Sequence, residues 1–185
     1  LPPKIGVHPG HGNYRHAMPC WAKKWETAGI KWGGGFKENP ARGLDYIYGF
    51  IVLNDVDTGI PYVMMDATWL TALRTGGKSA LAAKYLMRKD ATTCAVLACG
   101  KQARRAMDAF REACPQLTKF KCWDFYPAAT EKYVAEMKAI YPEIEIAACA
   151  SVADAVKDAD VLQTSAPTTA TEMSAITPDM LKPGV

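Results

Sequence analysis

The stretch of sequence that most constrains the fold of this chain runs from Thr92 to Asp124. Its first part, Cys94–Ala98, is an unbroken apolar run with the length of a strand that is buried on both faces. A turn containing Gly100 follows, and apolar residues then recur at three- and four-residue steps over Lys101–Ala113, which predicts a helix. A second predicted strand, Phe120–Trp123, ends on an acid, so the order is strand, glycine turn, helix, strand and carboxylate.

This order is typical of a βαβ unit that binds a dinucleotide. Backbone N–H groups and the positive end of a helix hold a cofactor pyrophosphate, so the turn must carry almost no side chain. Here the G-x-G-x-x-G pattern reads Ala98, Gly100 and Ala103, with one glycine of three, and an ordinary crossover with a structural glycine is the alternative. The carboxylate of Asp124 can accept both ribose hydroxyls and would repel a 2′-phosphate, so it favours NAD over NADP.

The alternation of strand and helix continues after this unit. Helices are predicted over Ala128–Ile140 and Ser151–Lys157, and strands over Ile144–Cys149 and Val161–Ser165. Repeats of this kind with short connections form a parallel, doubly wound sheet. Thr164 and Ser165 fall at the carboxyl end of a strand, which is where such sheets bind their ligands. The fold class predicted for residues 91–185 is therefore α/β, with a Rossmann-type doubly wound parallel sheet that is incomplete here.

Residues 1–90 show a different pattern, in which β-hairpins precede one long helix. Strands are predicted for Lys4–Val7, Met18–Trp25, Ile30–Phe36, Ile47–Asn54 and Ile60–Met65, and a helix for Ala67–Arg88. We expect an α+β fold for this portion, which ends in the long helix that connects it to residues 91–185.

Two groups of glycines in this first portion require something to lie close to the backbone. Gly33-Gly34-Gly35 gives three positions without side chains, suited to close approach by a ligand or by another backbone. Gly76 and Gly77 stand in the middle of the predicted helix, where each costs about 1 kcal/mol relative to alanine. Since most residues around them are also small, another group is expected to approach that face of the helix closely.

Two cations in residues 1–90 are candidates for ligand binding. Lys31 lies between apolar residues of a predicted strand, so it is either a solvent-facing lysine on a half-buried strand or a cation at the mouth of a ligand pocket. Arg74, beside the helical glycines, either pairs with a carboxylate of the chain or binds a substrate carboxylate through its planar fork. All three histidines fall within His8–His16, where Pro and Gly favour an irregular loop, so we expect no metal site.

Composition and charge argue against several classes of partner. Residues 1–90 carry 12 Lys and Arg against 7 Asp and Glu, but these cations are scattered rather than arranged in a stripe, so nucleic acid binding is not expected. No apolar run approaches the roughly 20 residues that span a bilayer, so no membrane association is expected either. The six cysteines show no C-x-x-C pair and no zinc spacing, as in a reduced, cytoplasmic protein.

The two ends of the sequence indicate a longer polypeptide. The chain opens on Leu1-Pro2-Pro3 without a methionine and stops at Lys182–Val185, where a helix would lead into a strand. A parallel sheet that ended there would expose an unpaired apolar edge. We therefore expect these residues to be the interior of a longer chain.

A series of short motifs, most of them between Lys31 and Leu86, points to one protein family. The motifs are Gly29-Ile30-Lys31-Trp32, Asn39-Pro40, Val52-Leu53-Asn54-Asp55, Thr58-Gly59-Ile60-Pro61, Asp66-Ala67-Thr68, Leu73-Arg74-Thr75, Ala82-Ala83-Lys84-Tyr85-Leu86 and Gly100-x-Gln102-Ala103. Together they resemble the ornithine cyclodeaminase/mu-crystallin family, and the similarity runs from about Lys4 to Val185.

The resemblance implies an NAD(P)-dependent homodimer in which a split substrate-binding and dimerisation domain accompanies a Rossmann domain. Residues 1–90 would be a portion of the substrate-binding and dimerisation domain, and residues 91–185 a partial NAD-binding domain. The substrates that the family implies are α-amino acids or cyclic imines. Because of Asp124, we expect NAD rather than NADP as the cofactor.

The resemblance also implies roles for particular residues. Lys31 and Arg74 would contact the substrate carboxylate, and Lys31 would also be catalytic by polarising a carbonyl or imine. The residues implied at the cofactor site are Thr75, Gly100, Gln102, Ala103, Asp124, Thr164 and Ser165. The catalytic aspartate of the family would lie shortly after Val185.

Two positions depart from the family pattern. Ala98 replaces the first glycine of the Gly-x-Gly-x-Gln-Ala turn, which is compatible with lost catalysis. Ornithine cyclodeaminases carry an acid close before the Met-Pro that here is Met18-Pro19, and this chain has His16-Ala17 there. A distal ammonium group such as that of ornithine would then lack its counter-charge, so a smaller or less basic substrate is favoured.

The leading hypothesis is an NAD(P)-dependent oxidoreductase that interconverts an α-amino acid and its imine or keto acid, of the amino acid dehydrogenase or ketimine reductase type. A second hypothesis is an ornithine cyclodeaminase-type ammonia lyase that uses bound NAD. A third belongs to another class, a non-catalytic, mu-crystallin-like ligand-binding protein.

Overall fold

The structure of the chain, a computed structural model, describes residues 2–166 and 176–185. The chain divides into two compact units, residues 1–71 and residues 72–185. Most of the long helix, which the sequence assigns to the end of the first portion, therefore belongs to the second unit by its contacts.

The first unit is an antiparallel sheet of five strands whose spatial order follows the sequence. The strands are β1 Ile5–Val7, β2 Tyr14–Ala22, β3 Thr27–Gly35, β4 Ile47–Asp55 and β5 Pro61–Asp66. Met18 of β2 and Ile51 of β4 are the cross-strand partners of Lys31. Since cross-strand partners point to the same face of a sheet, these three side chains share one face.

The glycines of β3 bring the neighbouring strands and their aromatic rings close. A Cβ atom on Gly34 would collide with the carbonyl oxygen of Tyr14 in β2. A Cβ atom on Gly35 would lie 2.7 Å from the ring of Tyr14 and 2.8 Å from that of Tyr46. The close approach predicted for these glycines is thus made by the chain's own strands and rings.

The connection between β2 and β3 differs from the prediction. The sequence predicts the hairpin turn at Glu26–Gly29, whereas the chain turns through a short 3-10 segment, Lys23–Trp25, and through Glu26, whose φ is 46°. Glutamate rarely adopts this left-handed conformation, so its residue type does not mark the turn. β2 also begins at Tyr14, inside the expected loop, because it pairs with Gly35 at the far end of β3.

The second unit contains a parallel sheet of four strands in the order β8-β7-β6-β9. The strands are β6 Thr93–Leu97, β7 Lys119–Trp123, β8 Glu145–Ala148 and β9 Val161–Thr164. The helices are α1 Thr68–Leu86, which begins in the first unit, α2 Lys101–Ala113, α3 Pro127–Ile140 and α4 Val152–Val156. Each matches a predicted element within a few residues, and the predicted parallel α/β sheet is confirmed.

Both faces of this sheet are covered by helices, as a doubly wound fold requires. Cys94 and Val96 of β6 lie in one buried cluster with residues of α1, α2 and α3. Ala95 and Leu97, which point the other way, pack with Ala155 and its neighbours of α4. The sequence of β6 reads as a continuous apolar run because both of its faces are buried.

Helices α1 and α2 meet where α1 has a glycine. A Cβ atom on Gly76 would lie 2.6 Å from the backbone N and Cα of Ala106 in α2. The small face of α1 is therefore explained at Gly76 by the backbone of α2. A Cβ atom on the adjacent Gly77 would meet no atom of the described residues within 4 Å.

Candidate functional site

The carboxyl ends of three parallel strands converge at one edge of the second unit's sheet. The N–H of Ala98, just after β6, donates to the carbonyl of Trp123 at the end of β7 at 2.9 Å. The N–H of Ser165, just after β9, donates to the carbonyl of Leu97 at 3.0 Å. Because β7 and β9 pair with β6 on its two opposite sides, this edge is the switch point at which open α/β sheets bind ligands.

The turn between β6 and α2 has open space in front of its glycine. Gly100 is extended (φ −82°, ψ −166°), a conformation that any residue can adopt. A Cβ atom built on it would meet no described atom within 4 Å, so neither backbone strain nor internal packing requires a glycine. Gly100 also has no side chain to cap α2, a helix of 13 residues. A glycine of this kind is suited to a ligand that must approach the backbone and the helix end closely.

Ala98, in contrast, adopts a conformation that favours glycine. Its φ is 71°, in the left-handed region, and this occurs at the position where the dinucleotide pattern has its first glycine. The backbone therefore keeps the shape of the pattern although the residue type has changed. A left-handed residue with a Cβ atom costs roughly 1–2 kcal/mol.

Asp124 faces the turn with its carboxylate. Its Oδ2 atom accepts the N–H of Cys99 at 2.7 Å, and its Oδ1 atom accepts the N–H of Tyr126 at 3.0 Å. Each oxygen of a carboxylate can accept a further hydrogen bond, so these bonds leave capacity for ribose hydroxyls. Burial and the nearby Asp124 raise the pKa of the Cys99 thiol to about 12, so this thiol stays neutral.

Gln102 and Ala103, both predicted at the cofactor site, lie in the first turn of α2. Ala103 is fully buried within the core of the second unit, and its carbonyl accepts the hydroxyl of Tyr133 at 3.3 Å. Its small side chain therefore serves the packing of the helix, as the last residue of such a turn does. Gln102 is half-buried in the first turn of the helix.

Arg104 also contacts this turn, although sequence reasoning did not single it out. Its Nη1 atom donates to the carbonyl of Cys99 at 2.6 Å and to that of Gly100 at 3.2 Å. Its Nε atom donates to Glu136 of α3 at 2.6 Å. Because Glu136 is distant in the sequence, no local pattern could have indicated this arrangement.

A buried amide holds the last residue of β9 and the residue that follows it. The Nε2 atom of Gln163, which is 6% exposed, donates to the carbonyl of Thr164 at 3.2 Å and to Oγ of Ser165 at 3.0 Å. Because Oγ of Ser165 is the acceptor in this bond, its own hydrogen can point elsewhere. Gln163 was likewise not singled out in the sequence.

In the first unit, Lys31 is held rather than extended into solvent. Its Nζ atom donates to Oγ1 of Thr71 at 3.2 Å, and Thr71 is 7% exposed. His16 lies on the same face of the sheet, since it is two residues from Met18 on β2. The ring of His16 packs against that of Tyr14, with 4.9 Å between centroids. This face therefore presents an imidazole at the position where ornithine cyclodeaminases are expected to carry an acid.

Arg74 and Thr75 are carried by α1. Arg74 is exposed and forms no ion pair with any residue that the structure describes, so the alternative of pairing within the chain is not observed in this part of it. Thr75 is half-buried, and its carbonyl lies 3.4 Å from Oγ of Ser79, which donates to it.

Residues 2–166 and 176–185 show neither a metal-binding cluster nor a helix that could span a membrane. Within these ranges no group of three or more His, Cys, Asp or Glu side chains is arranged to hold a metal ion. No helix among the same residues is long and apolar enough to cross a bilayer.

A model of the ornithine cyclodeaminase/mu-crystallin family matches residues 1–185 of this chain. The chain belongs to this family. Among its relatives, the nodulation efficiency protein NfeD of Rhizobium meliloti is 46% identical over 101 residues, which are 55% of this chain and 32% of that protein. The alanine dehydrogenase of Archaeoglobus fulgidus is 34% identical over 167 residues, which are 90% of this chain and 49% of that enzyme.

Solved structures of family members share the fold. The Δ1-pyrroline-2-carboxylate reductase of Thermococcus litoralis, in complex with NADH and L-proline, is 31% identical with a TM-score of 0.84 and matches 88% of this chain and 50% of its own. An archaeal alanine dehydrogenase dimer with bound NAD is 32% identical with a TM-score of 0.78, over 88% of this chain and 48% of its own. The chain thus spans about half the length of these family members.

Proposed function

We propose that this member of the family is part of an NAD-dependent oxidoreductase that interconverts an α-amino acid and its imine or keto acid. The observation that carries the proposal is the open turn at Gly100, which precedes an uncapped helix and faces Asp124 at the switch point of the parallel sheet. Two family members with the same fold bind NADH or NAD, and one of them also binds an amino acid.

The residues of the turn fit a dinucleotide. The backbone of Gly100, Gln102 and Ala103 would receive the pyrophosphate at the amino end of α2. Asp124 would accept the ribose hydroxyls. The hydroxyl of Ser165 would donate a hydrogen bond on the nicotinamide side of the cofactor, and Thr164 would lie beside it. When bound, NAD supplies the site that accepts or returns a hydride.

The preference for NAD over NADP is tested by changing Asp124→Asn. An asparagine keeps one oxygen that can accept the N–H of Cys99, but it removes the charge that would repel a 2′-phosphate. We expect the ratio of the NADP and NAD dissociation constants to fall about tenfold, which corresponds to ~1.4 kcal/mol. An unchanged ratio would remove Asp124 from the ribose site.

The substrate would be held by two cations. Lys31, positioned by Thr71, and Arg74 would both bind the substrate carboxylate, Arg74 in the bidentate geometry that suits a guanidinium, and Lys31 would also polarise the carbonyl or imine. Thr75, next to Arg74, would lie at the cofactor. His16 on the sheet face of Lys31 favours a substrate whose side chain is small or weakly basic.

We further propose a homodimer that resides in the cytoplasm. The archaeal alanine dehydrogenase is a dimer, and this chain shares its fold. All six cysteines of this chain are free, and four of them are buried, as expected in a reducing compartment.

The activity is tested by mixing the protein with NAD and a panel of α-amino acids while recording absorbance at the reduced-nicotinamide band. Net accumulation of NADH with at least one amino acid is the expected result. Ammonia release without NADH accumulation would instead indicate the lyase reaction. Failure to bind either NAD or NADP in a titration would contradict both enzymatic functions and favour a ligand-binding protein.

A further inference from the structure

We propose that Arg104 is a positioning residue that, together with Asp124, holds the Cys99–Gly100 backbone in the conformation that receives a pyrophosphate. The inference rests on the proposed function, because it assigns the turn to a dinucleotide. Arg104 would act through the backbone of the turn and would not itself be a ligand of the phosphates.

The backbone of Cys99 is held by side chains at both of its polar groups. Its N–H donates to Oδ2 of Asp124 at 2.7 Å, and its carbonyl accepts Nη1 of Arg104 at 2.6 Å. The carbonyl of Gly100 accepts the same Nη1 atom at 3.2 Å. Asp124 follows β7 and Arg104 lies in α2, so two different elements fix the turn.

These hydrogen bonds decide which backbone groups can face an anion. A carbonyl oxygen carries partial negative charge and would repel a phosphate, whereas an N–H group attracts it. Arg104 engages the carbonyl oxygens of Cys99 and Gly100, so a cation offsets their partial negative charge, and the amino end of α2 would face the ligand. A charge-assisted bond is roughly twice as strong as a neutral one, so the arrangement is firmly held.

The turn needs this support because Ala98 is strained. A left-handed alanine costs roughly 1–2 kcal/mol, and such a residue persists only where its surroundings determine its conformation. Ala98, whose φ is 71°, is directly followed by Cys99, the residue held by Asp124 and Arg104. Without them, the turn could relax toward a conformation that no longer matches a pyrophosphate.

Arg104 is itself fixed by α3, and its charge is compensated there. Its Nε atom lies 2.6 Å from Oε2 of Glu136, and its guanidinium lies 5.4 Å from the ring centroid of the buried Tyr133. The hydrogen bond from Arg104 lowers the pKa of Glu136, so this carboxylate stays ionised at neutral pH. A compensated guanidinium contributes geometry more than net attraction for an anion.

The experiment compares the affinities of two ligands in variants of the full protein. Arg104→Met removes the hydrogen bonds while keeping a long side chain. Arg105→Met is the matched control, because Arg105 is the next residue of α2 and pairs only with Asp108 on its own helix among the described residues. The ligands are ADP, which carries a pyrophosphate, and adenosine, which does not.

We expect Arg104→Met to weaken ADP and NAD binding at least tenfold while adenosine binding changes less than threefold. Arg105→Met should change neither by more than threefold. If Arg104→Met leaves NAD and ADP affinity unchanged, or weakens adenosine equally, Arg104 does not position the turn. If Arg104→Met does not fold, Arg104→Lys, which keeps the charge but loses the fork, is expected to give the same selective loss.

Glu136→Gln separates positioning from direct contact. If Arg104 acts through the turn, loosening its anchor should weaken NAD binding severalfold. Should Glu136→Gln strengthen NAD binding, the released guanidinium would be a direct phosphate ligand and the proposal would be wrong.

A measurement without ligand distinguishes this inference from the proposed function. If the wild-type protein binds no dinucleotide, the proposed function fails, but the hydrogen bonds at Cys99 can still be tested by amide hydrogen exchange. Arg104→Met should accelerate exchange of the Cys99 N–H at least tenfold relative to Arg105→Met. Equal protection in the two variants would overturn the positioning role.

Discussion

Ala98 shows how a single residue can keep a backbone shape that its type does not favour. Its φ is 71°, and it stands at the first glycine position of the dinucleotide pattern. Ala98→Gly should therefore raise the free energy of unfolding by up to about 1 kcal/mol, since the left-handed cost exceeds the extra entropy that glycine gives the unfolded chain. Denaturant unfolding followed by circular dichroism measures the change.

The control for this substitution is Ala109→Gly in the middle of α2. Since the backbone of Ala109 is helical, glycine has no conformational advantage there, and we expect the free energy of unfolding to fall by about 1 kcal/mol. The two variants should thus shift stability in opposite directions. A loss of stability in Ala98→Gly would mean that the turn does not strain this residue.

Arg74 allows a second test at the scale of one residue. Arg74 is the proposed ligand of the substrate carboxylate. Arg74→Ala should therefore weaken substrate binding by roughly 1.5–3 kcal/mol, which is the range for hydrogen bonds to charged groups. We expect KM for the amino acid to rise about 10- to 100-fold while the dissociation constant of NAD changes less than twofold. Lys78→Ala, an exposed cation one turn later in α1, is the control. If Arg74→Ala weakened the binding of NAD as much as that of the substrate, the assignment of Arg74 to the substrate carboxylate would be wrong.

At the scale of elements, α1 depends on two adjacent glycines with different surroundings. A Cβ atom on Gly76 would meet the backbone of Ala106 at 2.6 Å, whereas one on Gly77 would meet no described atom. Gly76→Ala should destabilise the protein by about 1–3 kcal/mol through overpacking. Gly77→Ala should stabilise it by up to about 1 kcal/mol through helix propensity. The urea midpoint of Gly76→Ala should lie below that of the wild type, and the midpoint of Gly77→Ala should lie above it. If both substitutions raise the midpoint, the contact between α1 and α2 at Gly76 is not tight.

The elements of the second unit could be predicted because their signals are local. β6 is buried on both faces, so its apolar run is unbroken, and Ser151 caps α4 by accepting the N–H of Asp154 at 3.0 Å. The first unit was harder to predict where pairing overrode residue type. Tyr14 joins β2 because the glycines of β3 let the strands approach, and Glu26 turns the chain in a conformation it rarely adopts.

The candidate site could be predicted in part for a related reason. Gly100 and Asp124 belong to one βαβ unit, so their spacing in the sequence indicates their proximity. The partners of Arg104 and Lys31 do not follow from spacing. Glu136 lies in the next helix, and Thr71 lies beyond two further strands, so only the folded chain brings these groups together.

At the scale of the whole chain, Asp160 ties together segments that are far apart in the sequence of the second unit. Its Oδ1 atom lies 2.6 Å from Nη2 of Arg88 and 2.5 Å from Nζ of Lys182. Its Oδ2 atom accepts the N–H groups of Thr92 and Thr93, each at 2.9 Å. The side chain of Asp160 is 4% exposed. One buried carboxylate thus joins the end of α1, the start of β6, the start of β9 and the last residues of the chain.

Burial alone would raise the pKa of Asp160, but the hydrogen bonds from Lys182, Thr92 and Thr93 outweigh it and lower the pKa below the usual 3.8. A carboxylate whose pKa is lower in the folded state stabilises the fold above its unfolded pKa, and this stability is lost as the pH falls through the folded value. Asp160→Asn should therefore cost about 3–5 kcal/mol at pH 7, because an amide offers one acceptor oxygen and no charge to two backbone N–H donors and two cations. The difference from wild type should begin to shrink as the pH falls below about 4, where the carboxylate of the unfolded chain becomes protonated, and it should continue to shrink down to the lower pKa of the folded carboxylate. Asp158→Asn, an exposed neighbour with a φ of 62°, should change stability by less than about 0.5 kcal/mol at either pH. Unfolding curves at pH 7 and pH 3 measure these differences, and an equal cost of Asp160→Asn at both would show that its charge is not what joins the segments.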